Sequence, residues 1–145
     1  MLHEAPRVLI ALEQSGQIDE AIAAFQSACD AEPDVAAAAS HLAAALAEAG
    51  RIDEAIPVAR RTVALAPDSA VAHMSLGTML EQRGLLPEAL VELRAAVRLD
   101  PTSPAAHNSL AAALAEEAHR RRRALRRVSR CRSLQRAVRS PARIG

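Results

Sequence analysis

GRIDEAIPVARRTVALAPDS, residues 50–69, has two relatives inside its own chain. Thirty-four positions earlier stands GQIDEAIAAFQSACDAEPDV (residues 16–35), and thirty-four later GLLPEALVELRAAVRLDPTS (residues 84–103). All three align without a gap. Glu20, Glu54 and Glu88 recur in step, as do Ala21, Ala55 and Ala89, and Pro33, Pro67 and Pro101. Upstream of each glycine, Val8, Leu42 and Leu76 correspond, and so do Leu12, Leu46 and Leu80. A fourth, truncated copy follows in PAAHNSLAAALAEE, with Leu110 and Leu114 in register.

Apolar spacing within each copy is helical. A glycine is suited to the left-handed residue that closes one helix. Acids after it favour the positive end of the next helix dipole, and Pro87 fits a first-turn position. The proline at the end of each copy stops the second helix by forcing its predecessor out of the α region. Ala21, Ala55 and Ala89 mark where the two helices must approach closely.

A 34-residue period with two helices, a glycine between them and a closing proline resembles the tetratricopeptide repeat. The resemblance covers about residues 2–117. It implies an all-α, right-handed solenoid of antiparallel helix pairs, A and B, with repeats at about 2–35, 36–69 and 70–103 and a half-repeat at 104–117. The array is thus expected over residues 1–118, followed by an arginine-rich tail at 119–145. Several positions depart from the family's pattern. Its early helix A tryptophan is Ala5, Ala39, His73 and His107 here, its helix A glycine survives only as Gly77, with Leu9, Ala43 and Ala111 elsewhere, and its helix A tyrosine is leucine throughout. The helix B aromatic is Phe25, then Ala59, then Leu93, and Thr62 replaces a small alanine. Pro57 inside helix B of the second repeat removes a backbone donor and is expected to kink or loosen that helix. These substitutions predict a thin, alanine-packed array near the minimum repeat number for stability.

By the same resemblance, helix A residues line a concave groove: Ser40, Ala44, Ala47 and Glu48; Met74, Thr78, Glu81 and Gln82; Asn108, Ala112, Ala115 and Glu116. The lining is small, weakly apolar and slightly acidic. Arrays that clamp a chaperone's C-terminal carboxylate place Lys, Arg and Asn in this groove, and the cations are missing here. Arrays attached to glycosyltransferases carry an asparagine ladder, where this chain has His41, Ser75 and Ser109. The expected occupant is an apolar or basic segment or helix of a partner protein, which makes the chain an adaptor or scaffold. An N-terminal repeat fragment of a larger transferase-type enzyme is the alternative, since repeats of this kind are often fused to catalytic domains. A groove without a specific ligand is the blander reading.

Composition narrows the rest. The chain has 145 residues, half of them hydrophobic, with Phe25 its one aromatic residue; all 18 basic residues are arginine. Such a core suits close-packed helices. No Ser/His/Asp or Cys/His constellation and no glycine-rich phosphate loop stands at family-like spacing, so no enzyme activity and no cofactor is expected. His73 and His107 recur at the repeat spacing; two helix widths are expected to separate them, too far to share a metal, so both read as replacements for a packed tryptophan. Cys29 and Cys131 lie in no metal or redox spacing, which suits a reduced, intracellular chain. Cys29, level with Val63 and Val97 on the inner face of helix B, reads as a small buried hydrophobe. The N-terminus lacks the basic and apolar regions of a signal peptide, and no run is long enough to span a membrane, so a cytoplasmic location is expected.

Charge divides the chain. Residues 1–118 carry all 17 acids against seven arginines, a net −10; residues 119–145 carry eleven arginines and no acid. Continuing the fourth repeat would put Gly at 118, Ala at 123 and Pro at 135, where the chain has Ala118, Arg123 and Gln135. A stripe of Leu125, Val128, Cys131, Leu134 and Val138 keeps helical spacing. With one extra residue in the turn, Ala124 takes the small-residue place and Val128 the helix B place. Three readings stay open: an amphipathic helix folded back as a cap on the last helix A, with arginine as its solvated face; a basic arm for nucleic acid or an acidic surface, the array's own groove included, though without an aromatic to stack a base; or a tail without selected structure, as when a GC-rich gene is read out of frame.

Overall fold

The structure is a computed structural model that describes residues 17–140. Six helices and no strand occur among them. They are α1 (Ile18–Ala31), α2 (Ala36–Glu48), α3 (Ile52–Leu65), α4 (Ala70–Gln82), α5 (Leu86–Leu99) and α6 (Pro104–Arg139). The 34-residue rule holds in three dimensions. B helices begin at 18, 52 and 86, and A helices at 36, 70 and 104. The segment expected to form helix A of the first repeat, with Ala5, Val8, Leu9, Leu12 and Gly16, lies outside the described residues.

Turn chemistry repeats with the sequence. Gly50 and Gly84 take positive φ, 77° and 87°. After α2, Arg51 N–H donates to the Leu46 carbonyl (2.9 Å) and Gly50 N–H to Ala47 (3.0 Å); after α4, Leu85 donates to Leu80 (2.8 Å) and Gly84 to Glu81 (2.9 Å). Both are Schellman closures, which satisfy carbonyls the helix end would orphan and demand a residue free to adopt φ > 0. At the other end, Ser69 Oγ accepts from Ala72 N–H (3.2 Å) and Ser103 Oγ from Ala106 N–H (3.3 Å). Hydroxyls there cap α4 and α6; α2 has Val35 in that place and no side-chain cap.

Ala21, Ala55 and Ala89 are completely buried, as close approach of the paired helices requires. One continuous apolar core runs from Ile22, Phe25 and Cys29 through Leu42, Leu46 and Ile56 to Leu76, Met79 and Leu80. A second cluster of Leu86, Leu90, Leu93 and Ala113 joins α5 to α6. Thr62, buried in the place of Ala28 and Ala96, resolves its hydroxyl by donating to the Val58 carbonyl (3.0 Å). Burial pushes the Cys29 thiol above its ordinary range, as a small hydrophobic role implies.

Pro57 lies inside α3, which runs fourteen residues like α1 and α5. Pro57 is exposed, and its missing donor removes a single ladder bond. More consequentially, the arginine segment is helical but does not fold back as a cap. It continues α6 without a break at Ala118, making one helix of 36 residues, about 54 Å long. No glycine stands at 118 to turn the chain. Instead the salt bridges Arg120–Glu116 (3.1 Å) and Arg121–Glu117 (2.7 Å) span the place where a turn would fall, and such i,i+4 pairs favour the helix. Arg120 also donates to the Gly84 carbonyl (3.2 Å), pinning α6 to the edge of the array. Beyond it, every residue from 121 to 139 is exposed.

Candidate partner-binding groove

Helices α2 and α4 approach each other directly, as do α4 and α6, whereas successive B helices have no comparable approach. This A layer is where the sequence places the groove. The expected groove residues fall on this layer at i, i+4, i+7 and i+8, which is one helix face. All are accessible. Ala44, Glu48, Gln82, Asn108, Ala112 and Ala115 are exposed; Ser40, Ala47, Met74, Thr78, Glu81 and Glu116 are half-buried. The opposite faces, Leu42 and Leu46 or Leu76 and Leu80, are buried.

Three of the twelve are already engaged. Met74 packs against the cluster of Leu86, Leu90, Leu93 and Ala113, so it supports the junction of α4, α5 and α6 while remaining half-buried. Thr78 turns its hydroxyl onto the Met74 carbonyl (2.9 Å), which leaves its methyl as the presented group. Glu116 pairs with Arg120. Ser40 also borders a shallow cleft of about 170 Å³ with Ala36, Ala37, Ser69 and Val71, at the seam between the second and third repeats.

The charges of the A layer are of one sign. Residues 36–48, 70–82 and 104–117 contain no arginine, and their only formal charges are Glu48, Glu81, Glu116 and Glu117. Among the described residues, the array's arginines lie on the other layer and at turns. Arg60 bridges to Glu88 (2.8 Å) and Arg83 to Asp53 (2.5 Å), tying the second repeat to the third. Arg61 donates to the Pro33 carbonyl (2.8 Å), tying the second to the first. Exposed pairs of this kind contribute at most about 1 kcal/mol each. Arg51 and Glu54 hold each other in their charged forms within one turn: their hydrogen bond raises the guanidinium and lowers the carboxyl.

The histidines have a different role from a metal site and from a plain filler. His73 Nε2 lies 2.9 Å from the Pro67 carbonyl and Nδ1 2.7 Å from Glu92 Oε2. The ring is thus held between the turn before α4 and the side chain of Glu92 on α5. His107 Nε2 repeats the first contact on Pro101 (2.8 Å). Helices α4 and α6 are direct neighbours rather than two helix widths apart. Each ring is tied to the proline carbonyl of its own turn. The sequence signal for this latch was the joint recurrence of Pro and His six residues apart. His41 stacks on Phe25 with ring centres 5.4 Å apart, joining the first and second repeats.

Comparison with known proteins agrees with this fold. The profile of the tetratricopeptide repeat family matches residues 10–70 and 48–104, and the chain belongs to that family. Its fold is the right-handed solenoid of antiparallel helix pairs. No curated protein matches the sequence. Among solved structures, the first repeat domain of Spaghetti (RPAP3) bound to the HSP90 peptide SRMEEVD superposes with a TM-score of 0.74 at 22% identity, over 79% of this chain and 90% of that one. The type III secretion chaperone SycD of Yersinia enterocolitica, in complex with a peptide of the translocator YopD, gives 0.71 at 21% identity, over 80% and 94%. MamA from Desulfovibrio magneticus RS-1 gives 0.72 at 24%, over 92% and 75%. At these identities the likeness is one of fold.

Proposed function

We propose that the array is a non-enzymatic adaptor that holds a basic or apolar segment of a partner protein against its A layer. One observation carries this reading: an accessible stripe of small side chains runs across three successive A helices, and every formal charge beside it is negative. Small residues leave room for the ligand's own side chains, and Glu48 and Glu81 supply anionic ends for arginine or lysine. Two structures of the same fold hold peptides, which supports a peptide-binding role in general. An acidic C-terminal segment such as SRMEEVD would meet like charge on these three helices and find no arginine or lysine on them to receive its carboxylates. No helix among the described residues is long and apolar enough to cross a membrane.

Binding of fluorescent peptides to the full chain tests the proposal. A basic amphipathic peptide should bind at low salt and weaken as salt screens the contact. The same peptide with glutamate for every lysine and arginine should not bind. Equal binding of both, or of neither, removes the basis for the reading.

A further inference from the structure

Among the described residues no helix B is folded against the last helix A, and the surface that such a helix would cover is open. Leu114 stands where Leu80 stands one repeat earlier. Leu80 is 1% exposed and Leu114 40%. Leu110, in the place of Leu42 and Leu76, is likewise only half-buried where those two are buried.

The arginine half of α6 carries the pattern of the missing helix. Buried positions on α5 are Leu86, Ala89, Leu90, Leu93 and Ala96. One repeat on, with one extra residue in the turn, they correspond to Arg121, Ala124, Leu125, Val128 and Cys131. Four of the five are uncharged, and most of the positions between them are arginine. Leu125 and Val128 are 67% and 49% exposed in the single chain. The segment is also long enough: residues 119–139 exceed the fourteen residues of each complete B helix. Yet α6 is one unbroken helix, so this B-like half points away from the A-like half it matches.

We propose that a second copy of this chain supplies the missing helix. Two copies exchange the arginine halves of α6, each lying antiparallel to residues 104–118 of the other as a helix B. An element opened into a straight helix and exchanged between identical chains is a low-cost route to a closed two-fold dimer. Gly77 faces Leu93 within the third repeat; in the dimer Ala111 of one copy faces Val128 of the other. That register also sets Glu116 and Glu117 of each copy level with Arg121, Arg122 and Arg123 of the other. Overall charge agrees, since a segment with eleven arginines and no acid lands on an array of net −10. Pairing tail against tail would instead oppose arginine to arginine along its whole length.

Cysteine cross-linking of the full chain decides the matter. Leu114→Cys and Ala124→Cys are both at exposed sites, so folding is not at stake; Cys131→Ser removes the other accessible thiol and buried Cys29 stays. Within one straight helix the two positions are about 15 Å apart and cannot bond. Mild oxidation of the double variant should give a disulfide-linked dimer, and neither single variant should. An intramolecular disulfide would mean that each chain caps itself, and no disulfide that the tail covers nothing; either overturns the exchange. Light scattering on the wild-type chain should give twice the chain mass in the micromolar range. Val128→Asp, harmless in a monomer where the site is exposed, should weaken the dimer at least tenfold. A wild-type monomer overturns the proposal, as does RNA binding that depends on the tail arginines while the mass stays that of one chain.

Discussion

Gly77 and Leu93 interlock: a methyl group placed on Gly77 would lie 2.7 Å from Leu93 Cγ and 3.3 Å from the Ala89 carbonyl oxygen. Leu93 is completely buried, so neither partner has room to move. The second repeat solves the same contact with Ala43 and Ala59, both buried. Bulk lies on helix B in one case and is shared in the other.

Gly77→Ala should therefore destabilise the chain although alanine favours helix. Overpacking costs about 1–3 kcal/mol and the gain in helix propensity is about 1 kcal/mol. A net loss of up to about 2 kcal/mol is expected in denaturant unfolding. Leu93→Ala alone should cost about 2–5 kcal/mol by leaving a cavity. The double variant recreates the Ala43–Ala59 pair, so its loss should be smaller than the sum. Strict additivity would show that the two residues do not oppose each other.

Most of this fold is written locally and redundantly, which is why the sequence discloses it. Helix starts, the positive-φ glycines and the fully buried Ala21, Ala55 and Ala89 each follow from a residue type with a narrow physical role, repeated at a fixed interval. What the pattern did not disclose depends on several repeats at once. Met74 reads as a groove residue from its register, but its burial against Leu90 and Ala113 arises only when α5 and α6 are in place. The path of α6 turns on the absence of one glycine and on two i,i+4 pairs that a composition count does not weigh. Groove residues are legible as positions on a face; their ligand is not, because small side chains and a few carboxylates accept many segments.

His73 holds the start of α4 to the end of the preceding B helix. His73→Ala removes a carbonyl contact and leaves the Glu92 carboxylate, itself three-quarters buried, without its partner. A destabilisation of about 1–3 kcal/mol is expected from such a loss. His107→Ala, which removes one exposed contact, should cost clearly less. Equal effects in thermal unfolding would mean that the Glu92 bond adds nothing.

The two cysteines should differ sharply in reactivity. Cys29 is 4% exposed and burial raises its thiol, so the thiolate that attacks a labelling reagent is scarce and enclosed. At neutral pH, Cys131 should react quickly with a maleimide or disulfide reagent and Cys29 only as the chain unfolds. Raising the pH should speed Cys29 less than an exposed thiol, since access as well as ionisation limits it. Rapid double labelling of native protein, followed by mass spectrometry, would place α1 off the array.

Groove variants must be chosen by exposure. Met74→Arg, the obvious charge insertion, would bury a guanidinium beside Leu86 and Leu93, and its effect on binding would be confounded with unfolding. Ala44→Arg and Ala112→Arg place the same charge on exposed A-layer positions two repeats apart. Surface changes of this kind shift stability by no more than about 0.5 kcal/mol. If a basic segment binds the A layer, each should weaken capture by repulsion, and the pair together more than either. The complementary change, Glu81→Gln, removes attraction without adding bulk and should reduce both affinity and its salt dependence. Peptide titrations at two salt concentrations, with unfolding curves for each variant, measure both quantities. Unaltered affinity in all three, with stability intact, would move the binding surface to the B layer, where Val91 is exposed and the arginines stand.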